Sequence, residues 1–409
     1  MADVSTLIVR LYDEPIGTLT HVGGERTLFA FTEAYTHDPS RPILSLSFKD
    51  AFGQLRTDFS PTRMKLPPFF SNLLPEGQLR QYLADTASVH PEREFLLLKA
   101  LGQDLPGAIT VTHEDHQAWP NDSGADPTDA ASSTAVAHVM RFSLAGVQLK
   151  FSAIMDASGS LTIPALGIGG HWIVKLPSRD FKQVPENEFS MMSLAKMVGI
   201  DVPAIDLVDV SSIGNLPEGM NHLGDKAFII ERFDRTDNGQ RIHIEDFAQV
   251  FDVYPHAKYE KASYRSLARV IAAESGDADI AEFIQRATFN VLIGNGDMHL
   301  KNWSLIYRDR QHAELSPAYD FVSTIAYLPN EQSALTVSRS KAFSDYTLNE
   351  LEHLAAKAAL PRQLVLDTAR ETVALFMQRW VSEKDHLPMG KDVRSAIDKH
   401  LESLPITAA

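Results

Sequence analysis

The residues whose types and spacing could do chemistry lie in the last third of the chain. In Gly294-Asn295-Gly296-Asp297-Met298-His299-Leu300-Lys301-Asn302 an aspartate precedes an asparagine by five residues. Asp-x-x-x-x-Asn is the spacing of a kinase catalytic loop, where the aspartate orients the attacking hydroxyl or accepts its proton and the asparagine holds a metal ion. Asp320, in Ser316-Pro317-Ala318-Tyr319-Asp320-Phe321, adds a carboxylate. One carboxylate and one amide oxygen suit Mg²⁺, which takes a few hard oxygen ligands beside water and phosphate oxygens. Asp and Asn at this spacing also occur in ordinary polar loops, so the reading depends on what stands around them.

Upstream, His171-Trp172-Ile173-Val174-Lys175-Leu176-Pro177 places a lysine at the end of an apolar strand, where its charge needs a partner. In a kinase that partner is the α- and β-phosphate, often with a glutamate from the next helix, and Glu188 is the candidate. A strand-edge lysine reaching solvent is the plainer alternative. The segment Arg141-Phe142-Ser143-Leu144-Ala145-Gly146-Val147-Gln148-Leu149-Lys150-Phe151 is neither G-x-G-x-x-G nor a P-loop. Its one glycine, small Ala145 and Lys150 still permit close approach to an anion. Phe228-Ile229-Ile230-Glu231-Arg232-Phe233-Asp234-Arg235 has the form of a strand running into a hinge, where the Glu231 carbonyl and Phe233 amide could bond an adenine edge; a plain strand end is the alternative. His171 and His299 stand alone, without His-Glu-x-x-His spacing, and read as ordinary polar residues.

Elements that would position these groups follow from periodicity. Asp279 can cap a helix whose stripe is Ile280, Phe283, Ile284, Ala287 and Val291, and Gly294 and Gly296 end it, leaving Asp297 on a turn. Trp303 to Tyr307 and Ala313 to Leu315 flank a polar turn and pair as a hairpin, which returns Asp320 to the side of Asn302. Thr347 and Glu350 have capping-box spacing, and Leu366, Ala369, Val373, Phe376 and Trp380 form a second helical stripe. The sequence predicts an α+β fold in four parts. Residues 1–112 form a small module with β-like runs at Leu7 to Tyr12 and at the alternating Leu44, Leu46, Phe48, then a core segment Phe69 to Gly77 ending in a turn, and a helix Glu92 to Leu101. Residues 113–137 have five acids and no Lys or Arg, and read as a linker. Residues 138–235 make a strand-rich lobe with strands at Trp172 to Val174 and Ala227 to Ile230 and one helix, Glu186 to Val198. Residues 236–409 make a helical lobe. That order is a two-lobed protein-kinase-like fold with an additional N-terminal α+β subdomain.

Composition sets the outer limits. A chain of 409 residues implies two or three domains. The net charge of −15 argues against wrapping nucleic acid over the whole surface. The absence of cysteine excludes disulfides and thiolate chemistry and fits a reducing compartment, with the cytoplasm as the default. No secretory signal or membrane span is visible.

These segments in this order resemble the HipA family of bacterial serine/threonine kinase toxins, over nearly the whole chain. The carriers are Asn72-Leu73-Leu74-Pro75, Ser143-Leu144-Ala145-Gly146-Val147-Gln148-Leu149-Lys150, Val174-Lys175-Leu176-Pro177, Glu231 to Arg235, Gly296 to Asn302 and Ala318-Tyr319-Asp320. The resemblance implies ATP binding through Ala145, Gly146, Val147, Gln148, Leu149 and Lys150, through Lys175, through Glu231, Arg232 and Phe233, through His299, Leu300, Lys301 and Asn302, and through Tyr319 and Asp320. It makes Asp297 the catalytic aspartate with Lys175 beside it, Asn302 and Asp320 the Mg²⁺ ligands, and Ser143 the autophosphorylated serine. A phosphate there adds about −1.5 to −2 charge to a loop that must approach ATP. The implied partners are a HipB-like helix-turn-helix antitoxin, operator DNA mainly through that antitoxin, and a protein substrate in translation such as an aminoacyl-tRNA synthetase. Lys391, Arg394 and Lys399 share one helix-like stretch, but interspersed acids make it a solvated face. A small-molecule kinase of the aminoglycoside type and an inactive antitoxin-binding scaffold are the alternatives.

Overall fold

The structure is a computed structural model that describes residues 4–113, 150–156, 159–164, 169–216 and 220–408. The N-terminal module is a five-stranded antiparallel sheet of β1 (Ser5–Leu11), β2 (Glu14–Val22), β3 (Arg26–Phe31), β4 (Thr62–Arg63) and β5 (Ile109–His113), in the order β4-β3-β2-β1-β5. Leu7, Val9 and Leu11 alternate into its core, as period-2 patterning requires. Tyr12 and Asp13 both have positive φ, the geometry of a tight hairpin turn whose twist matches the strands. Helices α1 (Glu33–His37), α2 (Pro68–Ser71), α3 (Gly77–Thr86) and α4 (Glu94–Leu101) complete it.

Two local expectations change here. The alternation Leu44, Leu46, Phe48 is not a strand: Leu46–Phe48 is a 3₁₀ turn that the Ser45 hydroxyl caps by accepting from the Ser47 amide. The buried Glu245 carboxylate takes the Ser45 hydroxyl and the Leu46 amide, leaving no ladder to join. Phe69 to Asn72 is buried as expected, but the chain turns at Pro75 and starts helix α3, which a Pro-Glu-Gly sequence conceals.

The second sheet contains β6 (Lys150–Met155), β7 (Leu161–Thr162), β8 (Trp172–Lys175), β9 (Ile205–Asp209) and β10 (Lys226–Glu231) in the order β7-β6-β8-β10-β9, with helix α5 (Val184–Met197). The apolar run Ala227 to Ile230 of the central strand β10 is buried on both faces. Ala227 and Ile229 join the core of the N-terminal module, together with Phe151, Ala153 and Val174. Phe228 and Ile230 point the other way, into the core shared with α5 and the helical lobe. The N-terminal module is therefore welded to this lobe through one continuous core, each buried Ile or Leu contributing on the order of 1.5–3 kcal/mol.

The helical lobe comprises α6 (Phe247–Val250), α7 (Tyr264–Glu274), α8 (Asp277–Leu292), α9 (Leu348–Ala358), α10 (Arg362–Glu383) and α11 (Lys391–Ser403). It also carries a small sheet, β11 (His243–Asp246), β12 (Ser304–Tyr307) and β13 (Glu314–Leu315), with β12 central. Helix α8 begins two residues before Asp279, after Gly276, and the Asp279 carboxylate instead accepts from the Leu315 amide, fixing the hairpin to the helix. Thr347 caps α9 through the Glu350 amide, whereas the Glu350 carboxylate turns to the Ser338 and Arg339 amides, so only half of the capping box forms. The stripe Leu366 to Trp380 is buried on α10. Arg394 on α11 pairs with Asp385 at 2.8 Å.

Candidate active site

The site is built where α8 stops. Gly294 has φ +63°, and a Cβ there would meet Ile325 at 2.5 Å, so only glycine lets the chain leave the helix so close to the following segment. The Asn295 side chain accepts from the Asp297 amide at 3.0 Å, and the Asn302 amide donates to the Asp297 carbonyl at 2.9 Å. The two ends of the Asp-x-x-x-x-Asn loop thus hold each other. The β12–β13 hairpin forms with Leu305 opposite Leu315. It returns the chain as expected, and Asn302, Asp297 and Asp320 line one cleft of about 530 Å³.

Asp320 adopts the left-handed region at φ +60°. Such a conformation in a non-glycine residue costs of order 1–3 kcal/mol and is held by its surroundings. Here the holders are Lys150, 3.0 Å from Oδ2, and Lys175, which donates to Oδ1. Burial alone would raise the Asp320 pKa, but the Lys150 and Lys175 charges outweigh it and keep the carboxyl well below the usual range. Lys175 also donates to Glu188 on α5, which is fully buried. Burial pushes the Glu188 pKa up and the Lys175 charge opposes it, while Asp320 and Glu188 overcome burial and raise Lys175.

Asp297 stands at the mouth of the cleft, its side chain 54% exposed. The cleft walls raise its pKa through desolvation, opposed first by a hydrogen bond from the Tyr259 hydroxyl, 2.5 Å from Oδ1, and then by Lys258. His299 lies 4.0 Å from the same oxygen, and burial lowers its pKa to about 3, so the ring is neutral. Tyr319 bonds the Ser304 hydroxyl at 2.5 Å and the Lys301 carbonyl at 3.0 Å.

A smaller cavity of about 120 Å³ continues inward, lined by Ile173, Ile230, Glu231, Phe233 and Tyr319, with Leu73 and Pro106 from the N-terminal module. Arg232 also lines this cavity, and its buried guanidinium is bonded to Asp234, Asp104 and Ser152. Leu300 is buried in the helical core. Ser143, Ala145, Gly146, Val147, Gln148 and Leu149 lie outside the described residues.

Four residues at the site were not readable as such from the sequence: Asn72, Glu76, Lys258 and Tyr259. Asn72 and Glu76 belong to a segment marked by composition as core and turn; Lys258 and Tyr259 lie on a turn with no pattern. Glu76 pairs with Lys301 at 2.7 Å and Lys258 at 3.0 Å, and Lys301 donates to the Asn72 carbonyl at 3.1 Å.

A β-rich lobe and a helical lobe meeting at a cleft that holds a Lys–Glu pair, an Asp-x-x-x-x-Asn loop and a further aspartate define a protein kinase. Residues 142–380 match the HipA-like C-terminal domain and residues 7–112 the HipA N-terminal domain. The chain belongs to the HipA family, and is a serine/threonine protein kinase. It is 55% identical over 99% of its length to "Putative kinase Y4dM" of Sinorhizobium fredii, covering 98% of that protein. It is 27% identical to the serine/threonine-protein kinase toxin HipA of Shewanella oneidensis, over 89% of this chain and 86% of that one. Among solved structures it resembles the Shewanella oneidensis complex of HipA, HipB and operator DNA, with a TM-score of 0.72 and 25% identity over 98% of this chain and 96% of that chain. No helix among the described residues is long and apolar enough to cross a membrane.

Proposed function

We propose that the chain is an ATP- and Mg²⁺-dependent kinase of protein serine or threonine, acting in the cytoplasm as the toxin of a toxin–antitoxin pair. The observation that carries the reading is one cleft holding Asp297, Asn302, Asp320 and the buried Lys175–Glu188 pair. Lys150 and Lys175 are the charges suited to phosphate oxygens, and the inner cavity beside Glu231 and Phe233 has the apolar walls an adenine needs. The donor chemistry fits Mg²⁺: Asp320 is anionic, Asn302 offers an amide oxygen, and the buried Glu188 Oε2 lacks a partner among the described residues. When bound, the metal neutralises charge on the phosphates. Asp297, at the open mouth, takes the proton of the acceptor hydroxyl as its oxygen bonds to the γ-phosphorus and ADP leaves.

The Shewanella oneidensis complex of HipA, HipB and operator DNA supports a HipB-like helix-turn-helix antitoxin as partner, with operator DNA reached mainly through it; a component of translation such as an aminoacyl-tRNA synthetase is the substrate class that the family resemblance implies. Ser143 is the proposed autophosphorylation site. The test is transfer from γ-labelled ATP in the presence of Mg²⁺ to the protein itself and to proteins of a bacterial extract. Asp297→Asn is isosteric and should lower transfer by about 10²–10⁴-fold while leaving the thermal melt unchanged. A parent protein that labels nothing, or an Asp297→Asn variant of undiminished activity, overturns the assignment.

A further inference from the structure

The N-terminal module does more than cover a sheet face: it reaches the loop that carries Asp297. We propose that Glu76 is a positioning residue for phosphoryl transfer, holding the Asp297–Asn302 loop from both sides through Lys301 and through Lys258 and Tyr259. This rests on the kinase reading above.

The geometry supplies two arms. In the first, Glu76 Oε1 lies 2.7 Å from Lys301 Nζ, and Lys301 is the neighbour of Asn302, whose amide closes the loop onto the Asp297 carbonyl. In the second, Glu76 Oε2 lies 3.0 Å from Lys258 Nζ, and the next residue, Tyr259, gives its hydroxyl to Asp297 Oδ1. The Lys258 carbonyl also accepts from the Leu300 amide at 3.3 Å, so the turn bearing Tyr259 is stitched to the loop it orients. Both lysines are buried, with side chains 4% and 7% exposed, and Glu76 itself is 16% exposed. Without Glu76, two ammonium groups would face each other under little solvent screening, and their repulsion would push the two arms apart.

Pro75 and the start of α3 fix where this carboxylate stands. Asn72, one turn earlier, anchors the same segment by donating to the Val253 carbonyl at 2.7 Å and accepting from Lys301. Glu76 does not reach Asp297. Through Lys301 it steadies Asn302, and through Lys258 it sets Tyr259, whose bond to Oδ1 leaves the other carboxylate oxygen for the incoming hydroxyl. A displacement of about 1 Å in such a constellation costs on the order of 10²-fold in rate.

The experiment is a double-mutant cycle on kcat in the full-length protein, with Glu76→Gln, Tyr259→Phe and the pair. ATP-analogue binding stoichiometry normalises each to its folded, binding-competent fraction. Glu76→Gln should lower kcat by about 10- to 100-fold without raising the KM for ATP. Because the Lys258 arm ends on the carboxylate that Tyr259 bonds, the loss in the double variant should be smaller than the product of the two single losses. Glu25→Gln, which breaks a surface pair with Arg93 in the same module, is the control and should leave kcat unchanged. If Glu76→Gln does not fold, Lys258→Met removes the Lys258 arm from the kinase body and enters the same cycle. A kcat within twofold of the parent, or losses that multiply in the double variant, overturns the proposal. A parent without phosphoryl transfer fails the kinase reading instead, a distinct result.

Discussion

Asp104→Asn should uncouple the N-terminal module from the segment that follows β10 at a cost that the structure allows to be bracketed. Asp104, on the loop before β5, is 1% exposed and lies 3.3 Å from Arg232 and 3.2 Å from Arg235, and it accepts from the Ser152 hydroxyl at 3.0 Å. Asp234 pairs with the same two arginines at 2.8 and 2.9 Å and accepts from the Gly107 amide of the module. Two buried positive charges thus face two buried negative ones. The substitution keeps the shape and deletes one negative charge, leaving a guanidinium uncompensated. At an effective dielectric constant of about 20, one such contact at 4 Å is worth about 4 kcal/mol, and breaking buried pairs typically costs about 3–5 kcal/mol. A loss of that size is a large part of the roughly 5–15 kcal/mol that holds a domain. Urea unfolding followed by tryptophan fluorescence should report it, since Trp172 on β8 belongs to the adjoining sheet. Glu314→Gln, which breaks the exposed pair with Arg308, serves as the reference and should cost less than about 1 kcal/mol. If Asp104→Asn costs no more than Glu314→Gln, the buried network does not join the module to the segment after β10 and the reasoning is wrong.

Glu245 links Ser45 and Leu46 of the module to Tyr307 of the helical lobe, and burial pushes its pKa from 4.5 to about 7. The folded state therefore holds this proton more tightly than the unfolded chain. The resulting stability is fully present below pH 4.5 and is lost as pH rises through about 7, roughly 3 kcal/mol over that window. Melting temperature measured from pH 5 to 8 should fall less steeply in Glu245→Gln than in the parent, and equal slopes would remove Glu245 as a titrating group. Ser143→Ala should abolish autophosphorylation; phosphopeptide mapping that finds the label elsewhere in the parent would move the site.

Local chemistry made much of this molecule legible. The apolar stripe Ile280 to Val291, the glycines that follow it and the polar turn between Tyr307 and Ala313 determine α8, the loop and the hairpin, because helix and hairpin geometry are short-range. Asp297, Asn302 and Asp320 could therefore be placed together before any coordinates. Lys175 and Glu188 were legible for the same reason: a strand end and the helix that follows it stay close.

The tertiary structure alone decided how the N-terminal module takes part. Nothing local links Glu76 to Lys258 and Lys301, or Asp104 to Arg232 and Arg235, because these partners are separated by more than a hundred residues and meet only when two cores pack against one sheet. The uniformly apolar run Ala227 to Ile230 showed burial but could not show that its alternate residues enter different cores. Nor could spacing reveal that Tyr259 meets Asp297, since the turn carrying it is aimed by packing and by the ion pair at Lys258. Sequence determined which groups the proposed phosphoryl transfer would use; packing decided that a separate module reaches the loop on which they stand.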